Sequence, residues 1–249
     1  QTFGPLALSL GARVARWRSD SLASSRLGHP AAPIERRDSG WKLLPAASAT
    51  LALAEDAQLF VRHAASYRPP AAAASPAGVS HLAGDRYQAW EFGVRAPLSS
   101  DRPVGAQLSL SVGRWRNVQA DLFDSAGYLS AANIGDARVV TLEAMAQWRL
   151  SDAVQLSSSM TMNRASVASD VPSNVIVTRG RLPNVPDVNA QLAISWASAD
   201  DAPAPVRLSA KLRYVGRSVL GIGPDLGRRQ GDFAELGTDA SIRVGPAQF

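Results

Sequence analysis

The stretch Trp90–Trp115, WEFGVRAPLSSDRPVGAQLSLSVGRW, decides the fold class. Apolar side chains fall at every second position on both sides of the turn signal SSDRP: Trp90, Phe92, Val94, Ala96 and Leu98 before it, Val104, Ala106, Leu108, Leu110 and Val112 after it. Successive side chains of a strand point to opposite faces, so a period of two predicts a β-hairpin. The other face carries Glu91, Gly93, Arg95, Gln107, Ser109, Ser111 and Gly113. The question is which of the two faces is turned toward the inside of the protein.

The same test along the chain gives ten strands, at residues 6–17, 42–53, 57–67, 86–98, 104–117, 137–150, 153–164, 187–197, 206–215 and 235–244. No segment of similar length reads better as a helix. The connections alternate between short turns, such as AED and SD, and long stretches rich in Pro, Ala, Gly and Ser, such as RPPAAAASPAGVSHLAGD. An antiparallel meander follows, with its tight turns at one end and its long loops at the other. A soluble sandwich turns its apolar face inward and mixes turn lengths at both ends. A transmembrane barrel does the reverse, with apolar residues outward, polar residues inward, short periplasmic turns and long extracellular loops.

Composition agrees. Aromatics are 6% and charged residues 19% of 249 residues, too thin for the thick core of a soluble domain of this length. Trp41, Trp90, Trp148 and Trp196 fall near strand ends with outward parity, as membrane-interface girdles require, whereas Trp17 and Trp115 have inward parity. The net charge is +5, carried almost entirely by Arg, with Lys42 and Lys211 the two lysines. These cations form no basic run or stacking platform, so nucleic acid is not an expected partner. Cysteine is absent, which excludes disulfides and thiolate metal sites. His29, His63 and His81 lack metal-ligand spacing. GIGPDLG has Leu226 where a dinucleotide-binding loop has its third glycine, and Asp124, Asp136 and Asp170 lack a nucleophile or base partner. The expectation is a non-enzyme without cofactor or metal, and the loop aromatics Phe123, Tyr128 and Phe233 are read as loop packing.

Several segments together resemble the barrel of TonB-dependent receptors. WKLLPAASATLALAEDAQLFVRHAASYRPP is similar to a proline-marked strand, tight turn and second strand ending in an aromatic, a basic residue and proline; DRYQAWEFGVRA resembles the next strand, with its Glu-x-Gly. NIGDARVVTLEAMAQWRL resembles an Asn-x-Gly stretch leading into a strand with a central Glu, and RLPNVPDVNAQLAISW a Pro-Asn-x-Pro entry to a late strand. The resemblance implies an all-β fold, an antiparallel transmembrane β-barrel segment of about ten strands from a larger, 22-stranded barrel. It implies that residues 1–249 are a partial barrel without plug domain, TonB box or signal peptide, and that the break of alternation at Gly245 and Pro246 is a cut.

The resemblance further implies the bacterial outer membrane and import of a scarce nutrient such as a ferric siderophore, cobalamin or glycan. Its partners are outer-membrane lipid, the TonB complex through the missing N-terminal region, and a small-molecule or metal-chelate substrate. The substrate pathway is expected along charges assigned to the lumen: Arg13, Glu91, Arg95, Arg138, Glu143, Arg207, Lys211 and Arg213. Most of these are expected to bond to the plug or to one another. The alternative is an autonomous ten-stranded outer-membrane barrel with hydrolase or porin activity, which requires the ten strands to close on themselves.

Overall fold

The computed structural model describes residues 2–23, 34–54, 56–75, 78–99, 102–123, 129–167, 181–199, 204–221, 228–244 and 247–248. Ten long strands run in chain order through one antiparallel sheet: β1 (Leu6–Ala23), β2 (Ile34–Ala52), β3 (Gln58–Arg68), β4 (Asp85–Ala96), β5 (Val104–Arg116), β6 (Ala137–Arg149), β7 (Val154–Val167), β8 (Val188–Ala197), β9 (Val206–Val215) and β10 (Phe233–Val244). Each pairs with its neighbours in sequence. Beyond β1 the sheet carries only Thr2–Phe3, and beyond β10 only Ala247–Gln248. β1 and β10 do not pair, so the ten strands do not close into the small barrel that the alternative reading requires.

Register carries the alternation from strand to strand. Phe92 stands opposite Val61 and Leu110; Leu110 stands opposite Leu142, and Leu142 opposite Met162. A slip of one residue would move every one of these side chains to the other face. The apolar face they form has no protein over it: Leu10 is 87% exposed, Trp41 68% and Phe92 50%. The chain exposes 16175 Å², against about 10,600 Å² for a compact soluble monomer of its mass. A contiguous exposed apolar surface of this extent calls for a non-aqueous neighbour, and the paired strands leave no backbone group in its middle to offend lipid.

The packed core lies elsewhere, at the long-loop end. Ile134, Val118, Ala137 and Leu182 are buried there, with Trp115, Val139, Ala165 and Val185 against them. This small core fastens the β5–β6 and β7–β8 connections to the upper part of the polar face.

The tight turns close as their residues predict. Ser151 Oγ accepts from the Val154 N–H at 3.1 Å between β6 and β7, the local bond by which Ser favours turns. The long connections hold more structure than their composition suggests. Ala71–Ser75 pairs with Gly78–Leu82, Gln119–Phe123 with Leu129–Asn133, and Ser218–Val219 with Arg229–Gln230. β1 and β2 extend six and eight residues past the expected strand ends, to Ala23 and from Ile34. In these segments no apolar stripe repeats; backbone pairing shapes them, and polar side chains such as the Asp20–Arg37 ion pair across the β1–β2 extension add to it.

Candidate functional site

The polar face of the sheet is the first part of the site. Arg13, Glu91, Arg95, Glu143, Arg207, Lys211 and Arg213 all fall on it by register. Arg138 does not. It stands five residues before Glu143 in one strand, hence on the opposite face, with Val140 and Leu142 below it. Its assignment to the lumen is therefore corrected: it projects from the apolar side.

Several of the remaining charges are held. Arg62, two residues beyond the buried Phe60 on β3 and so on the same face, forms an ion pair with Glu91 at 3.6 Å and lies 4.5 Å from the Phe60 ring centroid. Arg95 donates from Nε and Nη2 to Gln58 Oε1 at 3.1 and 2.8 Å, with its guanidinium 5.9 Å from the same ring. Phe60 is thus flanked by two cations and is only 5% exposed. It has room because it lies over Gly93, directly opposite in the register. A Cβ there would run into the Phe60 ring and come 2.8 Å from the Leu108 carbonyl oxygen. Trp17 covers Gly40 in the same way, 2.6 Å from where a Cβ would be. Glycine is what lets these rings lie flat on the wall.

Toward the tight turns, a groove of about 650 Å³ opens between Gln58, Arg95, Gln107, Met145, Gln147 and Ser159, among other residues. It offers amide and hydroxyl groups around one guanidinium. On β9 and β10, Arg213 pairs with Glu235 at 3.7 Å, and Ser209 donates to Asp239 at 3.4 Å. Arg62, Glu235 and Asp239 complete the polar wall but were not among the residues expected there. The period-two register places all three, and it is the signal that finds them.

The base of the long loops is the second part. Asp85 is 4% exposed. It accepts from Arg68 Nε at 2.8 Å, from Arg68 Nη2, and from the Gln119 N–H at 3.3 Å. Gln119 Nε2 in turn donates to the carbonyls of Pro69 and Ala83, at 3.0 and 2.8 Å. The hairpins of the β3–β4 and β5–β6 connections are therefore latched through one buried carboxylate.

The NIGD stretch supplies the rest of this latch. Asn133 accepts from the Ala83 N–H at 2.7 Å and donates to the Asn117 carbonyl at 2.6 Å. Ile134 is fully buried. Gly135 has φ +94° and accepts from the Val118 N–H at 2.8 Å. Asp136 bonds Arg114 Nη2 at 3.0 Å and accepts from the Asn117 N–H at 3.2 Å. The Arg114 hydrogen bond, above all, holds the Asp136 carboxyl below its ordinary value of 3.8. PNVP works similarly: Asn184 adopts φ +57° and donates its N–H to the Val219 carbonyl at 2.8 Å, while the Pro186 carbonyl accepts from Asn163 Nδ2 at 3.1 Å. Asparagine is among the residues that best tolerate this left-handed conformation.

Among the described residues no group of three His, Asp or Glu side chains is placed to hold a metal ion. His63 packs on Trp90, ring centroids 4.7 Å apart, within the aromatic band of the apolar face. His81 is exposed. Phe233 is exposed on β10 rather than packed in a loop. His29, Asp124, Asp170, Leu226, Tyr128 and the Phe123 side chain lie outside the described residues.

Residues 1–245 match the family model of the TonB dependent receptor-like β-barrel. No curated protein sequence matches the chain. Among solved structures, the ferric yersiniabactin uptake receptor FyuA from Yersinia pestis superimposes with a TM-score of 0.76 at 18% identity, over 96% of this chain and 36% of that one. The copper transporter OprC gives 0.74 at 14% identity, over 97% and 38%. The ferric-catecholate import receptor Fiu from E. coli K12 gives 0.69 at 18% identity, over 98% and 37%. The chain spans little more than a third of the length of each.

Proposed function

Since the chain belongs to the TonB-dependent receptor β-barrel family and so to the bacterial outer membrane, we propose that it forms part of the wall of an active transporter importing a scarce nutrient as an anionic metal chelate. The family is one of receptors, not enzymes, and the three proteins named above are described as receptors or transporters. The open edges at β1 and β10 support a larger barrel, with further strands paired there. In that barrel the apolar face meets lipid and the polar face lines the lumen.

The observation that carries the reading is the excess of cations on the polar face. Arg13, Arg62, Arg95, Arg207, Lys211 and Arg213 stand there against Glu91, Glu143, Glu235 and Asp239. Like charges along a confined, low-dielectric wall concentrate anions and raise their rate of capture. Held pairs such as Arg62–Glu91 and Arg213–Glu235 leave Arg13 and Lys211 facing the lumen with no partner among the described residues. Energy coupling to the inner membrane would come through a plug domain and the TonB complex, as the family implies.

The test is uptake by native cells with and without the gene, using labelled ferric siderophores, cobalamin and glycans in parallel. Loss of uptake of a ferric siderophore alone is the expected result. Loss of cobalamin or glycan uptake instead would replace the substrate class, and unchanged uptake of all three would overturn the transport reading.

A further inference from the structure

The apolar side of the sheet carries an unexpected feature above its aromatic band. Arg114 stands directly across from Arg138, and one step farther toward the long loops Arg86 stands directly across from Arg116. Arg164, opposite Val140, flanks the first pair. All five share the face of Phe92, Leu110 and Leu142, two or more residues beyond them along the strands. At about 3.3 Å per residue, Arg138 is some 13 Å along the strand from Leu142, or about 10 Å along the membrane normal for a strand tilted by about 40°, on the long-loop side of the apolar band.

Like charges directly opposite each other in a sheet repel. Here two such pairs are stacked, and the carboxylate bonded to them is Asp136, on Arg114. Arg138, Arg116 and Arg164 are exposed; Arg138 and Arg164 have no partner among the described residues, and Arg116 shares only the charge of Asp136, whose hydrogen bond goes to Arg114. Arg86 Nε is buried without a hydrogen-bond partner. Arginine's planar fork suits phosphate better than any other side chain does. The surface directly below is apolar, so an anion that fits both must carry acyl chains.

We propose that Arg86, Arg114, Arg116, Arg138 and Arg164 form a binding surface for phosphorylated lipid headgroups of the leaflet at the long-loop end. The phosphates lie between the arginine pairs and relieve their repulsion, while the acyl chains run down over Trp90, Leu110 and Leu142. The inference rests on the membrane placement of the apolar face and is independent of what the lumen carries.

The test uses the full-length chain, purified in detergent and examined by native mass spectrometry with diphosphorylated lipid A, and with fully dephosphorylated lipid A as the matched probe. Each cation near an anionic lipid surface contributes about fivefold, so three contribute on the order of 100-fold. The expected result is strong preference for the phosphorylated probe in the parent protein, most of it lost in the triple variant R114Q/R138Q/R164Q and kept in R243Q, which removes a cation from the polar face. Heat-dependent gel mobility verifies that the triple variant is folded. Equal retention of both probes by the parent protein overturns the proposal even if the triple variant fails to fold. So does a folded triple variant with undiminished preference, or complete displacement of the lipid by inorganic phosphate, which would mark a free-anion site.

Discussion

Phe60 lies over Gly93, its cross-strand partner, with the Arg62 and Arg95 guanidiniums on either side of the ring. The wall is packed there without a core behind it, so the glycine is structural. Gly93→Val places methyl groups against the ring and against the Leu108 carbonyl. Overpacking of this kind costs about 1–3 kcal/mol. Urea unfolding of the full-length chain in detergent is expected to show that loss, and Phe60→Leu in the same chain to restore only part of it, because the Leu108 contact is backbone. A Gly93→Val protein as stable as the parent would refute this account of the wall.

The Asp85 latch makes a second prediction. Asp85→Ala leaves Arg68 and the Gln119 N–H without their shared acceptor, and hydrogen bonds to a charged group are worth roughly 1.5–3 kcal/mol each. Arg68 is half exposed and can turn to water, so the loss stays local. Hydrogen exchange in 71–75, 78–82, 119–123 and 129–133 is expected to rise by at least tenfold while the mid-strand residues of β4 and β5 keep their protection. Uniform protection throughout would show that the hairpins stand without the carboxylate.

These two sites show how far the sequence could be read. β9 is found at 206–215 from alternation alone, because one face meets an apolar medium and the other a polar one. The same rule, applied without counting parity from Leu142, misplaces Arg138. The loop hairpins escape because AAAAS has no alternation to detect. Asp85 escapes because its burial is created by Gln119, 34 residues away. NIGD and PNVP stand out as motifs, but their roles as a latch and a left-handed turn emerge only from the contacts of Asn133 and Asn184.

Acid should loosen the β5–β6 connection through Asp136. Its folded pKa is lowered, first by the Arg114 hydrogen bond. A depressed carboxyl contributes stability that is fully present above its unfolded value, near 3.8, and is lost as pH falls through the lower folded value. Hydrogen exchange at Val118 and Ile134, followed from pH 6 downward after correction for intrinsic rates, is expected to stay flat to about pH 4 and then rise. Asp136→Asn is expected to be equally protected above and below that point. A parent protein with no acid-dependent rise would detach the motif from its charge.

The cation-rich lumen proposed for β9 predicts a salt-dependent phenotype. Arg207, Lys211 and Arg213 project from one face, with Ser209 between the first two and Glu235 beside Arg213. Reversing Lys211 and Arg213 to Glu turns a local attraction for an anionic chelate into repulsion and leaves the apolar face untouched. Electrostatic capture by such a wall is worth about 10- to 1000-fold in association rate. Two reversed charges should therefore slow uptake at limiting substrate by at least tenfold at low ionic strength. Near 1 M salt the screening length shrinks to about 3 Å, and the difference should nearly vanish. Uptake lost equally at both salt concentrations would instead assign these residues to the packing of a plug against the wall. Unchanged uptake at both would remove them from the pathway.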